Sequence, residues 1–114
     1  MSNEELVALS AVELRRRIGT KEISPVELLE ACLDRIEKVN TAVNAVTAMS
    51  IKRARREAKA AEAAVRRGED LPLLHGLPTG IKDLEETKDL LTTYGSPLYR
   101  DFVPTWDNVM VGRV

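Results

Sequence analysis

Two segments near the start of the chain are predicted to form helices, and the second has the apolar spacing of an amphipathic helix. The apolar residues of the second segment recur every three or four positions: Val26, Leu29, Leu33 and Ile36. That repeat places them on one face of an α-helix. Ser10 and Ser24 are each followed three residues later by glutamate, a pattern that predicts a capping box, and Pro25 is well suited to a first helical turn. We therefore predict helices over about residues 11–18 and 25–40.

A third helix is predicted over about residues 51–67, ended by Gly68. Its apolar stripe consists mostly of alanine: Ile51, Ala54, Ala58, Ala61 and Val65. The other faces carry an excess of lysine and arginine, but no aromatic residues that could stack on bases are interleaved with them. We interpret this basic surface as a solvated helix face and expect no nucleic-acid partner.

The rest of the chain predicts short strands, turns and a final helix. A brief strand is possible over residues 44–49, because Val46 and Thr47 are β-branched. Residues 77–106 read as a strand and loop region, in which an apolar run broken by glycine and proline ends at Lys82. Asp107 could cap a helix that begins at about residue 108 and is cut off by the chain end.

Composition narrows the function classes. The chain has 114 residues, enough for one small domain, with 44% hydrophobic and 31% charged residues. The net charge of −1 gives no electrostatic reason to expect binding to nucleic acid or to an anionic membrane. No apolar run reaches the ~18–20 residues of a membrane span. The acidic start does not resemble a signal peptide, and the single Cys32 fits a reducing compartment. We expect a cytoplasmic protein.

The aromatic residues are confined to the last quarter of the chain: Tyr94, Tyr99, Phe102 and Trp106. Large side chains dominate the energetics of a core, so the earlier part is expected to form slender helices that must pack on another surface. That surface could belong to the last quarter, to another copy or to a body outside this chain. We predict a homo-oligomer.

Lys82 is the residue with the clearest chemical potential. A desolvated lysine loses part of its preference for the charged form, and a lysine with a lowered pKa can act as a base near neutral pH. The alternative is an ordinary surface lysine paired with Asp83, which burial statistics favour when composition alone is considered. The residues themselves leave both interpretations open.

Three motifs resemble the start of the amidase signature family. They are Leu74-His75-Gly76-Leu77-Pro78, Gly80-Ile81-Lys82-Asp83-Leu84 and Thr92-Thr93-Tyr94-Gly95-Ser96. The segments 24–30 and 35–45 also look like the N-terminal helices of that family, so the resemblance covers roughly residues 9–114. It implies an α/β fold with a mixed sheet between helices, to which residues 1–114 contribute a mostly helical segment of a single amidase domain with one to three short strands. One departure is Asp89, near which the family pattern usually has a glycine.

The resemblance implies hydrolysis of a carboxamide C–N bond in a small-molecule substrate. In this family the site consists of a nucleophilic serine, a bridging serine with a cis peptide bond and a lysine, with no metal or organic cofactor, and the lysine corresponds to Lys82. The glycine- and serine-rich segment that carries both serines does not occur here, so we expect an N-terminal piece of a longer amidase that is inactive alone.

The other polar residues near Lys82 are expected to have lesser roles. Asp83 is expected to be a structural partner and His75 a loop residue. Thr93 and Ser96 are interpreted as loop hydroxyls near a substrate channel, because no base with triad-like spacing accompanies them. Cys32 is expected to be part of a packed helix face.

Two alternatives remain open at this stage. Within the same chemistry, the parent protein could be the A subunit of a tRNA-dependent amidotransferase. In a different class, the chain could be a non-catalytic helical module that self-associates through its alanine and leucine stripe.

Overall fold

The computed structural model describes all 114 residues, and it contains five α-helices and one short 3-10 helix. The α-helices are α1 (Asn3–Val7), α2 (Ala11–Gly19), α3 (Pro25–Val43), α4 (Ile51–Arg66) and α5 (Val109–Arg113), and the 3-10 helix is Pro97–Tyr99. The chain divides into two compact units. The first unit comprises Met1–Thr47 and Ile51–Pro78, and the second comprises Ala48–Ser50 and Thr79–Val114.

Helix α1 is not among the predicted elements, although its signal is present in the sequence. The Ser2 hydroxyl accepts a hydrogen bond from the Glu5 amide at 3.2 Å, and the Ser2 amide donates to the Glu5 carboxylate at 2.8 Å. These two bonds form a complete capping box. The acidic residues after Met1 therefore begin a helix, and Leu6 from this helix is buried.

The two predicted capping boxes differ from each other. At α3 both halves form, because Ser24 and Glu27 exchange two hydrogen bonds, of 3.0 and 2.8 Å. At α2 only the Ser10 hydroxyl takes part, accepting from the Glu13 amide at 3.2 Å. The Glu13 carboxylate instead binds the guanidinium groups of Arg16 and Arg17, at 2.9 and 2.6 Å. The prediction of a reciprocal box is wrong for α2, since two arginines compete for its acceptor.

The core of the first unit is small and entirely aliphatic. Its buried members are Leu6, Ile18, Leu28, Ala31 and Val65. They come from all four helices of the unit, and α3 packs against both α1 and α4. Full burial of an Ile or Leu side chain contributes about 1.5–3 kcal/mol, so the fully enclosed Ile18 and Leu28 are the main anchors.

The alanine stripe of α4 is used inside this unit. Ala64 and Val65 are buried, and Ala54, Ala58 and Ala61 are half-buried. Small side chains allow two helices to approach closely, and α3 is the helix that packs here. The stripe is therefore covered by α3, which removes the reason for invoking self-association through it.

Residues 71–78 are held against the helices of the first unit by side chains distant in sequence. The Arg15 guanidinium donates to the carbonyls of Leu71 and Pro72, at 3.1 and 3.0 Å. The His75 Nε2 atom lies 2.9 Å from the carbonyl of Ala61. Gly76, with φ of +78°, lies so close to Pro25 that an added Cβ would be 2.9 Å from the proline ring. The glycine thus meets a conformational and a spatial requirement together.

The second unit has no β-strand, so the prediction of one to three strands is wrong for this chain. Three backbone bonds run in antiparallel order: Thr92 to Phe102, Asp89 to Pro104 and Asn108 to Glu86, at 2.9–3.0 Å. These three hydrogen bonds are not continued into a β-ladder. Pro104 has no N–H to donate, and Asp89 has φ of +61°, which turns the chain out of an extended conformation.

The possible strand over residues 44–49 is also absent. Asn44 ends α3 in the left-handed conformation, with φ of +48°. The Asn40 side chain then donates to the Val46 carbonyl and accepts from its amide, both at 2.9 Å. An asparagine that satisfies both backbone groups of Val46 replaces the neighbouring strand that these groups would otherwise need.

The last helix is capped one residue later than predicted. The Asn108 side chain accepts from the Val111 amide at 2.9 Å, whereas the Asp107 carboxylate accepts from the Lys88 amide at 2.7 Å. Asp107 therefore closes the loop ahead of α5. No helix of the protein combines the length and the apolar character that crossing a bilayer requires.

Candidate functional site

Lys82 lies in an exposed loop of the second unit, not at the end of a buried strand. Its carbonyl accepts a hydrogen bond from the Glu85 amide at 3.0 Å, which marks a turn directly after the lysine. Pro78 and Gly80 disfavour a continuous strand here. The desolvation expected from the sequence is therefore not provided by the surroundings of Lys82 in this chain.

Asp83 does not pair with Lys82, because both of its carboxylate oxygens are used elsewhere. One oxygen accepts from the Thr93 amide at 2.7 Å, and the other accepts from the Thr93 hydroxyl. Lys82 takes part in none of the ion pairs of the chain. The surface-pair interpretation of Lys82 and Asp83 is wrong, and the expected structural role of Asp83 is confirmed.

The segment from Thr93 to Ser96 is a tight turn. The Ser96 amide donates to the Thr93 carbonyl at 2.9 Å, and both central residues have positive φ, +53° at Tyr94 and +68° at Gly95. Two positive φ angles in sequence are the signature of a type I′ turn. The turn is held further by the Gly95 amide, which donates to the Thr93 hydroxyl at 3.2 Å.

Tyr94 is a bulky residue in a conformation that costs free energy, and several contacts hold it there. Its ring lies 4.9 Å from that of Tyr99 in an edge-to-face arrangement and is stacked 6.0 Å from that of Phe102. Burial and a hydrogen bond to the Glu86 carboxylate raise the pKa of Tyr94. The pKa of Glu86 is lowered by its own backbone N–H and then by the Tyr94 hydroxyl. The strained turn thus has its own supporting contacts in the second unit.

The remaining residues singled out from the sequence have structural roles. His75 holds its loop to helix α4 through a contact with the carbonyl of Ala61, as expected of a loop residue. Cys32 packs at the edge of the aliphatic core, and burial raises the pKa of its thiol. Ser96 accepts from the Leu98 amide at 3.3 Å and caps the 3-10 helix. The structure has no cluster of three or more His, Cys, Asp or Glu side chains that could hold a metal ion.

Thr93 has a larger role than the loop hydroxyl that the sequence predicts. The structure makes it the partner of both Asp83 oxygens. An aspartate and a threonine ten positions apart carry no periodic signal. Their presence in two motifs of the same family pattern is the only indication that the sequence offers.

Comparison with known proteins identifies the class to which these motifs belong. The amidase family model matches residues 27–114, which is most of the chain. The chain therefore belongs to the amidase signature family.

Individual relatives agree with this assignment. The chain is 38% identical over 110 residues to the A subunit of glutamyl-tRNA(Gln) amidotransferase from Geobacter sp. (strain M21), a match that covers 96% of this chain and 22% of that protein. A solved structure from a vestigial protein complex that reveals the origins of an s-triazine catabolic enzyme matches with a TM-score of 0.88 and 33% identity. That match covers 92% of this chain and 23% of the other.

A second solved structure is that of a bacterial aryl acylamidase of the amidase signature family. It matches with a TM-score of 0.77 and 33% identity, over 82% of this chain and 19% of the other. The chain thus spans about a quarter of the length of the relatives that it matches. The similarity to both solved structures supports an amidase-type fold.

Proposed function

We propose that this chain is the lysine-bearing segment of an amidase domain that cleaves a carboxamide C–N bond. Lys82 is the base of a Ser–cis-Ser–Lys site, and the two serines are supplied by the part of the amidase domain that this chain does not contain. The observation that carries the proposal is the motif containing Lys82, in a chain whose family is established. On this proposal the 114-residue chain alone is inactive.

The chemistry assigned to Lys82 is proton transfer. A neutral amine at Nζ accepts the proton of the attacking serine through the bridging serine hydroxyl, and the same proton is later returned to the leaving amine. The exposed Lys82 of this chain must be desolvated to act in this way, since a model lysine has a pKa of about 10.4. The remainder of the domain is expected to cover the loop. Asp83 is bound to Thr93 through both carboxylate oxygens and forms no ion pair with Lys82.

A second activity has a specific observation in its favour. The relative from Geobacter belongs to an amidotransferase named for glutamyl-tRNA(Gln). In such an enzyme, the same lysine chemistry would release ammonia from an amide donor for transfer, so the donor would be a small amide and the acceptor would be presented elsewhere.

The test uses the complete amidase that carries this segment, with the variant Lys82→Ala. General-base catalysis typically contributes 10²–10⁴-fold, so we expect kcat to fall by about that factor while the far-UV circular dichroism spectrum is retained. The control is Lys88→Ala, a second exposed lysine in the same unit, which should leave turnover unchanged. Turnover of Lys82→Ala within a few-fold of the wild-type value would contradict the proposal.

The substrate panel distinguishes the two activities. Release of ammonia from glutamine supports the amidotransferase activity, whereas release of the aromatic amine from an aryl amide supports a hydrolase. In both cases the lysine dependence should be the same.

A further inference from the structure

We infer that Asp83 and Thr93 form a clamp that positions Lys82, an inference that rests on the proposed function of that lysine. The Asp83–Thr93 clamp consists of the two hydrogen bonds from the Thr93 amide and hydroxyl to the two oxygens of Asp83. Asp83 is adjacent to Lys82 in the chain, so fixing its side chain also fixes the backbone from which the lysine extends. In this clamp, Asp83 and Thr93 are positioning residues.

The clamp joins two motifs into one structural unit. The lysine motif includes Asp83, and the turn motif includes Thr93. Because the Asp83 side chain is hydrogen-bonded to Thr93, the two ends of the loop between these residues are held together. A flexible loop closed in this way loses conformational freedom that would otherwise displace the lysine.

The Thr93 side of the clamp is rigid. Thr93 is held by two further hydrogen bonds. Its hydroxyl accepts from the Gly95 amide, and its backbone carbonyl accepts from the Ser96 amide. The turn is the strained one at Tyr94, which is held by ring contacts to Tyr99 and Phe102. Asp83 is therefore bound to a turn that cannot easily rearrange. Strain of this kind persists only where surrounding contacts determine it.

The hydrogen bonds from Thr93 to Asp83 also bear on whether Asp83 pairs with Lys82. A carboxylate next to a lysine in sequence can form an ion pair with it, and such a pair holds the amine in its charged form. In the clamp both oxygens are used by Thr93, and Lys82 forms no ion pair. The hydrogen bonds to Thr93 hold the Asp83 side chain in an orientation in which it forms no ion pair with Lys82.

The decisive experiment measures kcat and KM in the complete amidase for Thr93→Val, Thr93→Ser and Asp83→Asn. Valine has nearly the shape of threonine but no hydroxyl, and serine restores the hydroxyl. We expect kcat of Thr93→Val to fall at least tenfold with KM within about twofold of the wild-type value, and Thr93→Ser to recover most of the loss. Asp83→Asn keeps one acceptor oxygen, so its kcat should lie between those of the wild type and Thr93→Val. This variant also tests the clamp if Thr93→Val does not fold.

The matched control is Thr87→Val. Thr87 is a buried threonine inside the same loop, and its hydroxyl donates to the Glu85 carbonyl at 3.2 Å. Thr87→Val loses this one hydroxyl hydrogen bond, whereas Thr93→Val loses the bond to Asp83 and the bond from the Gly95 amide. Because Thr87 does not bind Asp83, the kcat of Thr87→Val should stay within about twofold of the wild-type value. Equal losses of kcat at Thr87 and Thr93, or an unchanged kcat in Thr93→Val, would overturn the clamp. A rise in KM without a change in kcat would also overturn it.

This test separates the clamp from the proposed function. If Lys82→Ala abolishes turnover and Thr93→Val does not affect it, the lysine assignment stands and the clamp is wrong. If Lys82→Ala retains turnover, the proposed function itself is wrong. Hydrogen exchange of the Thr93 amide in the 114-residue chain gives an independent readout. Its protection should fall at least tenfold in Asp83→Ala, which removes both acceptor oxygens, and be unchanged in Thr87→Val.

Discussion

Replacement of Gly76 by alanine is the sharpest test of how the first unit is held together. Gly76 has φ of +78°, and a Cβ there would lie 2.9 Å from Cγ of Pro25 and 3.3 Å from Cδ1 of Ile18. Neither neighbour can move easily, because Pro25 starts α3 and both side chains are fully buried. The alanine would therefore be unfavourable in both conformation and packing.

The expected magnitude follows from two contributions. A left-handed conformation costs an L-residue about 1–2 kcal/mol, of which alanine recovers about 0.4–1 kcal/mol by restricting the unfolded chain. Forcing a methyl group into a filled core adds about 1–3 kcal/mol. We expect Gly76→Ala to lower the free energy of unfolding by about 2–4 kcal/mol.

The chain provides a matched control. Gly68 follows α4 with φ of +73°, but a Cβ there meets nothing within 4 Å. Gly68→Ala carries only the conformational contribution, so its loss should be about 1 kcal/mol or less. Urea unfolding followed by far-UV circular dichroism measures both variants, since most helical residues belong to the first unit.

A double-mutant cycle isolates the contact with the proline. In a Pro25→Ala background the ring is absent, and Gly76→Ala should then cost less than it does in the wild type, by about 1 kcal/mol or more. Equal destabilisation by Gly68→Ala and Gly76→Ala, or no coupling between residues 25 and 76, would refute the packing argument.

Two further predictions concern backbone strain and acid stability. Asp89→Gly should stabilise the chain by about 0.5 kcal/mol. The left-handed φ of +61° is unfavourable for aspartate, and relief of this strain should outweigh the greater conformational entropy of glycine in the unfolded chain. A lower urea midpoint for this variant would contradict that reasoning. The hydrogen bonds from Arg16 and Arg17 lower the pKa of Glu13 from 4.5 to about 2. A lowered carboxyl pKa contributes stability that is present above pH 4.5 and is lost as the pH falls towards 2. Thermal melts should therefore decline less steeply across that window in Glu13→Gln than in the wild type, and identical slopes would count against the pairing.

Local signals in the sequence are reliable where the interaction is local. The start of α3 is predicted by signals that are close together in the sequence, namely Ser24, Pro25 and the apolar spacing that follows. The helix begins there. The same signal fails in part at Ser10, because Glu13 has arginines three and four residues ahead that compete for it. At Ser2 the signal is complete, but the helix that follows it is too short to show an apolar repeat.

The strands cannot be judged from the sequence because a strand depends on a partner. Residues 77–82 have apolar side chains at suitable positions, but pairing needs a neighbouring ladder, and none forms in this chain. Lys82 is identified by the family motif that contains it and not by burial, since its side chain is exposed. The bond between Asp83 and Thr93 depends on tertiary structure and has no local signature.

The confinement of the aromatic residues to one unit has a spectroscopic consequence. Trp106 is the only tryptophan, is about half exposed, and lies 5.9 Å from the ring of Phe102. Its fluorescence therefore reports on the second unit alone, whereas far-UV ellipticity is dominated by α2, α3 and α4 of the first unit. The chain thus contains two natural probes, one for each unit. If the two signals change at different urea concentrations, the loop that carries Lys82 unfolds independently of the helices that precede it.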